Sequence, residues 1–279
     1  MFVEPMLLEK VDKPFNDSRF CAELKMDGWR MLISKWDGKI RLYSRHKNEF
    51  TSVFKEFQSV EIPDNTILDC ELIAVDEEGK SNFELLQNQY RAKHRTAPLQ
   101  LVAFDILFYK GEDLRKKPLM ERKQILADVI EPSDKLVLIQ YVDGTDAVQY
   151  FELIKQHGLE GLILKGKDSI YDSRGRRSSA WLKVIAYNFE SVAVHGIRKK
   201  KFGVYLSYLN GEYAGMIEFM TKEDRKKLYS FVSKHKVRED ENKITLDNKL
   251  IIEVKFRNKF KSGLLRLPLL SSWETDNSD

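Results

Sequence analysis

The chain alternates short apolar runs with turn residues. Phe20–Lys25, Trp29–Trp36 and Lys39–Ser44 have strand character, and Asp37-Gly38 marks a hairpin between the last two. Phe50–Val60 has helical spacing. Thr66–Val75 predicts a strand closed by the polar turn Asp76–Gly79, Phe83–Arg91 a helix, and Leu99–Tyr109 a long apolar strand. Pro118–Ile130 predicts a helix, with the proline suited to its first turn. Lys135–Val142 predicts a strand, and Thr145–His157 a helix stopped by Gly158. Gly161–Lys165 and Ala180–Ala186 predict short strands flanking a Ser/Arg/Gly loop, Asp172–Ser179.

The pattern changes after about Tyr187. Ser191–Lys199, Phe202–Asn210 and Glu212–Met220 predict three successive strands, with Asn210-Gly211 a type I′ hairpin signal. Thr221 opens a helix to His235, with Asp224 in the capping-box position. Lys249–Phe256 and Gly263–Leu270 predict two more strands. Strands, one helix, then strands suit a small OB-type barrel, with a generic α+β domain as the plainer alternative. There is no internal repeat and no low-complexity tract.

Apolar residues make up 42% of the 279, enough for a packed core. No apolar run approaches the ~20 residues that span a bilayer. The first fifteen residues lack the apolar stretch of a signal peptide. The expectation is a soluble, cytoplasmic protein with no membrane partner. Two cysteines, Cys21 and Cys70, are too few for a disulfide framework and read as buried thiols. Charge is uneven: residues 1–187 carry 29 basic and 30 acidic side chains, and residues 188–279 carry 18 and 13. A basic second segment suggests a polyanionic partner, against the plainer reading of a solvated surface.

The candidate chemistry centres on Lys25-Met26-Asp27-Gly28-Trp29-Arg30. Lys-x-Asp-Gly-x-Arg should arise by chance about 0.005 times in a chain of this length. A lysine amine is a nucleophile only when unprotonated, and burial or neighbouring cations favour that form. Asp27 can hold a sugar hydroxyl or help order a metal. Arg30 offers a planar fork for a phosphate or ribose oxygen.

Lys25–Arg30 resembles motif I of the covalent nucleotidyltransferases: DNA ligases, RNA ligases and mRNA capping enzymes. Further motifs follow in the family's order. Ser44-Arg45 resembles motif Ia, whose arginine grips nucleic-acid phosphate. Leu68–Leu72 resembles motif III, with Glu71 near the nucleotide sugar or metal. Phe104-Asp105 resembles motif IIIa, whose aromatic stacks on the base. Glu160–Lys165 resembles motif IV, with Glu160 a metal-site carboxylate. Trp181-Leu182-Lys183 resembles motif V, with Lys183 on the α-phosphate.

Pro5-Met6-Leu7, and Phe83 through Leu86-Gln87 to Arg91, resemble segments of ATP-dependent DNA ligases; in that group Glu23 stands where adenine is read. Only 24 residues precede Lys25, which favours ATP over NAD as donor.

The resemblance implies an α+β nucleotidyltransferase (ATP-grasp-like ligase) domain over residues 1–187 and a C-terminal OB-fold β-barrel over 188–279. It implies lysyl-AMP chemistry at Lys25 with Mg²⁺ (or Mn²⁺), a metal set of Asp27, Glu71 and Glu160, and a monomer acting on nicked duplex DNA. Size fits the minimal ligases of viruses, prophages and bacteria, so the expected setting is a bacterial or phage-infected cell.

The sequence departs from the family in three places. The second motif V lysine is replaced by Ile185. Motif VI has only a trace, at Arg266 and Trp273–Asp276, with Lys255, Arg257 or Arg266 as substitutes. The Asn210-Gly211 turn leaves no room for a DNA-embracing latch. DNA grip is therefore expected from Arg45 and from two basic loops, Arg198, Lys199, Lys200 and Lys201, then Lys255, Arg257, Lys259 and Lys261, interleaved with Phe202, Phe256 and Phe260. An RNA ligase or GTP-using capping enzyme remains an alternative, as does a catalytically silent nick-binding protein.

Overall fold

The computed structural model describes residues 1–247 and 250–274. The expected strand start at Lys249, and residues 275 and 276 of the motif VI trace, lie outside the described residues. The chain divides into two compact units, Met1–Ala186 and a second beginning at Tyr187.

The first unit contains, in order, β1 (Leu7–Lys10), β2 (Phe20–Leu24), β3 (Trp29–Trp36), β4 (Lys39–Ser44), β5 (Thr66–Ala74), α1 (Phe83–Arg91) and β6 (Leu99–Tyr109). There follow β7 (Glu112–Asp113), α2 (Leu119–Val129), β8 (Leu136–Leu138), β9 (Tyr141–Asp143), α3 (Ala147–Gln156), β10 (Gly161–Gly166) and β11 (Arg177–Ile185). Five strands form one sheet, β1-β11-β10-β2-β9. Six form another, β4-β3-β5-β6-β7, with β8 parallel to β6.

Side chains alternate across a strand, and that rule sorts the core. Ala22, Leu162, Leu164, Leu182 and Val184 pack with Phe151 and Ile154 of α3. Met31, Ile33, Leu68, Cys70 and Leu72 pack toward the far side of the six-stranded sheet, with Leu86 of α1 and Leu126 of α2. Cys21, Leu32, Ile67 and Trp181 pack together from the remaining faces, so the sheets oppose each other. Both cysteines are buried and free, and burial pushes the Cys21 thiol up to about 11.

Three expectations need correction here. Phe50–Val60 is not a helix: only Lys55–Ser59 forms a 3₁₀ turn. Phe54, Phe57 and Val60 are buried at intervals of three, the period of the tighter helix. The Lys135–Val142 strand is divided, β8 joining the six-stranded sheet and β9 the five-stranded one. β1 was not expected, and β11 begins inside the expected Ser/Arg/Gly loop.

The second unit contains β12 (Asn188–Arg198), β13 (Gly203–Ser207), β14 (Tyr213–Ile217), α4 (Lys222–His235), β15 (Lys236–Glu239), β16 (Lys243–Leu246), β17 (Ile251–Phe256) and β18 (Leu269–Trp273). β12 pairs with β13 along one edge and with β17 and then β16 along the other. β14 pairs with β13, and β18 with β17. Thr221 caps α4 through its side chain, as its position suggests. β15 and β16 were not expected. The last strand is displaced, because Phe260–Leu265 turns back on itself before Leu269. The Asn210-Gly211 turn is not type I′: only Gly211 has positive φ, and Glu212 N donates to the Asn210 side chain.

No helix among the described residues is long and apolar enough to cross a membrane.

Candidate active site

The faces that the two sheets of the first unit turn toward each other carry the polar residues. Glu23, Ile163, Lys165, Trp181 and Lys183 lie at alternate positions on β2, β10 and β11. Arg30, Asp69, Glu71 and Phe104 do so on β3, β5 and β6. Glu23, Lys25, Arg30, Glu71, Phe104, Lys165 and Trp181 line one cavity, with Ile139 and Ile163. An adjoining groove shares Lys25, Arg30 and Glu71 and adds Arg45, Arg177 and Lys183.

Lys25 leaves the end of β2, its backbone N–H donating to Gly161 O at 2.9 Å. Its Nζ lies 2.6 Å from Glu160 Oε2, and both side chains are largely buried. Close packing explains the glycine of Asp27-Gly28. A Cβ there would sit 2.2 Å from the Leu72 carbonyl oxygen, so the turn can lie against β5 only without a side chain. Gly28→Ala is expected to cost about 1–3 kcal/mol. A thermal melt checks it; an unchanged midpoint would remove this reason for the glycine.

Arg30 donates through Nε and Nη2 to Asp69 at 2.7 and 2.6 Å. The Tyr171 hydroxyl also donates to Asp69, at 2.5 Å, and accepts from Arg30 Nη2 and Met6 N. Asp69 is fully buried, and with Tyr171 it holds the guanidinium beside Phe104, 5.0 Å from the ring centroid. Arg30 therefore borders the cavity as a fork already braced by a carboxylate. Burial holds Lys183 below the usual lysine value, aided by Lys25, Arg177, Arg45 and Lys10. Ile185, at the site of the missing lysine, is buried.

Burial lifts the Glu71 carboxyl to about 7, although Lys25 and Arg30 pull the other way. The folded state therefore binds more protons than the unfolded one between the two pKa values. Stability should fall as pH rises from about 4.3 to 7 and level off above. Glu71→Gln removes that slope, so the variant should gain on the wild type up to pH 7. Denaturant midpoints from pH 4 to 8 check this, and parallel curves would refute it.

The metal expectation is corrected in part. Among the described residues, no three His, Cys, Asp or Glu side chains cluster to hold an ion. Asp27, Glu71 and Glu160 are thus not a ready-made cage. Glu160, against Lys25, and Glu71, desolvated nearby, fit an ion that takes its other ligands from phosphate and water, as Mg²⁺ does.

In the second unit most expected DNA contacts are engaged locally. Arg198 donates to Lys201 O, Phe202 O and Glu218. Lys199 pairs with Glu239 at 2.9 Å and Lys259 with Glu190 at 2.8 Å. Lys201 lies 3.9 Å from Glu218, and Lys255 5.4 Å from the Tyr187 ring centroid. Lys200 and Lys261 are exposed, and Arg257 is half-buried. Phe256 is buried and Phe202 packs on the core, so these rings are not open stacking platforms. Arg266 is buried with Nη1 toward Asn258, and Trp273 Nε1 donates to Asp224. Arg45 is exposed at the groove.

Sequence reasoning missed Asp69, Tyr171, Lys123 and Lys165 as site residues. Asp69 and Lys165 carried a signal: each lies two positions from, and on the same strand face as, a residue already singled out or lining the cavity.

Residues 5–184 match a family profile described as the ATP dependent DNA ligase domain. The SPbeta prophage-derived DNA ligase-like protein LigB of Bacillus subtilis is 37% identical, over 98% of this chain and 99% of that protein. A DNA ligase of Thermococcus fumicolans is 27% identical over 92% of this chain but only 52% of its own length. A solved structure from work on DNA binding with a minimal scaffold by Lig E DNA ligases has a TM-score of 0.64 at 18% identity, over 96% of this chain and 99% of that one. Similar along nearly its whole length to the prophage protein, and matched by the profile across both facing sheets, the chain belongs to the ATP-dependent DNA ligase family.

Proposed function

We propose that this protein seals nicks in duplex DNA, where a 3′-hydroxyl meets a 5′-phosphate, acting as a monomer through a lysyl-AMP intermediate. The observation that carries this is Lys25 Nζ, 2.6 Å from Glu160, where a partly enclosed cavity meets an open basic groove.

The cavity suits adenine, with Phe104 as platform and Glu23 at its edge. Lys25 must shed a proton before it attacks, and Glu160 Oε2 is the acceptor within reach. The nitrogen bonds to the α-phosphorus of ATP as pyrophosphate leaves. Arg30 and Lys183 offset charge that builds on the phosphate. The 5′-phosphate at the nick then takes AMP from Lys25, and the 3′-hydroxyl displaces AMP. Mg²⁺ or Mn²⁺, held by Glu71 and Glu160, would supply charge neutralisation to the phosphates. Arg45, at the groove mouth, faces the incoming strand.

We read the second unit as an OB-type barrel that grips the duplex. The pairing of β12 with β13 on one edge and with β17 and β16 on the other supports this. With Arg198 and Lys199 paired to acids, the grip falls on exposed Lys200 more than on either of them. The soluble interior of a bacterial or phage-infected cell fits this role.

The test is a singly nicked duplex with Mg²⁺ and either ATP or GTP. Sealing with ATP alone supports the reading. Sealing confined to RNA nicks, or label transferred from GTP, would replace it.

A further inference from the structure

Behind the cavity that Glu23 and Lys165 line lies a buried charge that the strand-joining chemistry does not use, Lys123. Glu23 (1% exposed), Lys123 (7%) and Lys165 (1%) are buried there together. Lys165 Nζ lies 2.7 Å from Glu23 Oε2, and 4.3 and 4.1 Å from the ring centroids of Phe104 and Trp181. Lys123 comes from α2, outside both sheets. Its Nζ lies 2.5 Å from Glu23 Oε1 and donates to the Phe104 carbonyl oxygen at 3.4 Å. One ammonium thus ties β2 of the five-stranded sheet to β6 of the six-stranded sheet. The two residues it ties are those at the edge and face of the cavity.

A lysine on each carboxylate oxygen fixes Glu23 in place. It also keeps Glu23 ionised against the burial that opposes charge. An ionised carboxylate accepts hydrogen bonds and cannot donate one. Adenine presents an amino donor at its 6-position, whereas guanine presents a carbonyl oxygen there. A site built around a fixed acceptor rejects the base that lacks the donor.

Building on the nucleotidyl-transfer reading above, we propose that Lys123 is a positioning residue that sets purine selectivity. It holds Glu23 as an oriented acceptor and Phe104 at the matching depth. Without it, Glu23 keeps one cation, is free to turn, and loses its register with the platform.

The experiment measures lysyl-nucleotide formation from α-labelled ATP and GTP for the wild type, Lys123→Met and Lys123→Arg, with thermal melts to establish folding. Lys123→Met should raise the KM for ATP about tenfold, the cost of one lost buried polar contact. The GTP reaction should be spared, so the ratio of the two efficiencies narrows. Lys123→Arg, which keeps a cation beside Glu23, should restore most of the ratio. A purely structural role would lower both nucleotides alike. A folded Lys123→Met with the wild-type ratio would overturn the inference. A wild-type chain that takes no label from ATP would instead overturn the reading beneath it.

Discussion

Lys25→Ala is expected to abolish label transfer from ATP and to lower sealing of an ordinary nick by at least about 10⁴-fold, the scale seen when a nucleophile is removed. The variant should fold, since the side chain it removes borders an open groove rather than the core. It should still join a nick already carrying AMP far better than an ordinary one. That last step needs the 3′-hydroxyl to attack, not Lys25. Both substrates should be compared side by side. A variant that seals the ordinary nick at near wild-type rate would move the nucleophile elsewhere. Equal loss on both substrates would point to a collapsed site.

Arg122→Leu should produce the largest loss of stability, about 3–5 kcal/mol. Arg122 and Asp105 are both fully buried, joined by two bonds of 2.8 Å. Arg122 Nη1 also donates to Lys117 O and Ser169 O, so the guanidinium joins α2 to the loop after β10. Removing it leaves a buried carboxylate with one backbone donor, Ile106 N, and orphans two carbonyls. For a unit of this size the melting temperature should fall by about 10 °C. The double variant Arg122→Leu, Asp105→Leu should recover part of the loss, because no buried charge remains. A single variant that melts within a degree or two of the wild type would show that water reaches Asp105.

The strands that could be read from the chain were apolar runs bounded by clear turns. Trp29–Trp36, Lys39–Ser44 and Leu99–Tyr109 stand as expected. The misses had other physical origins. A three-residue spacing of Phe54, Phe57 and Val60 mimics an α-helix over one turn. The strand at Leu136 changes sheets, which periodicity does not encode. Leu7–Lys10 is too short and too half-buried to stand out. In the site, Lys25, Glu71, Glu160 and Lys183 were legible because each sits in a compact motif. Lys123 and Tyr171 were not. A charged residue on a helix ordinarily marks its solvent face, and the acid that draws Lys123 inward lies a hundred positions earlier. The ion pairs of the second-unit lysines were not legible either, because Glu239 and Glu190 lie 40 and 69 positions away from Lys199 and Lys259.

The parallel pairing of β1 with β11 joins the two ends of the first unit. During synthesis, β3, β4, β5 and β6 can assemble as soon as they emerge, since each pairs with a near neighbour in the chain. The five-stranded sheet has no such option: its first strand must wait for its last. Lys183 arrives with that last strand, so the proposed nucleophile, Lys25, is made long before the residue proposed to meet the α-phosphate. If the proposed mechanism holds, a stalled chain ending before β11 should take no label from ATP.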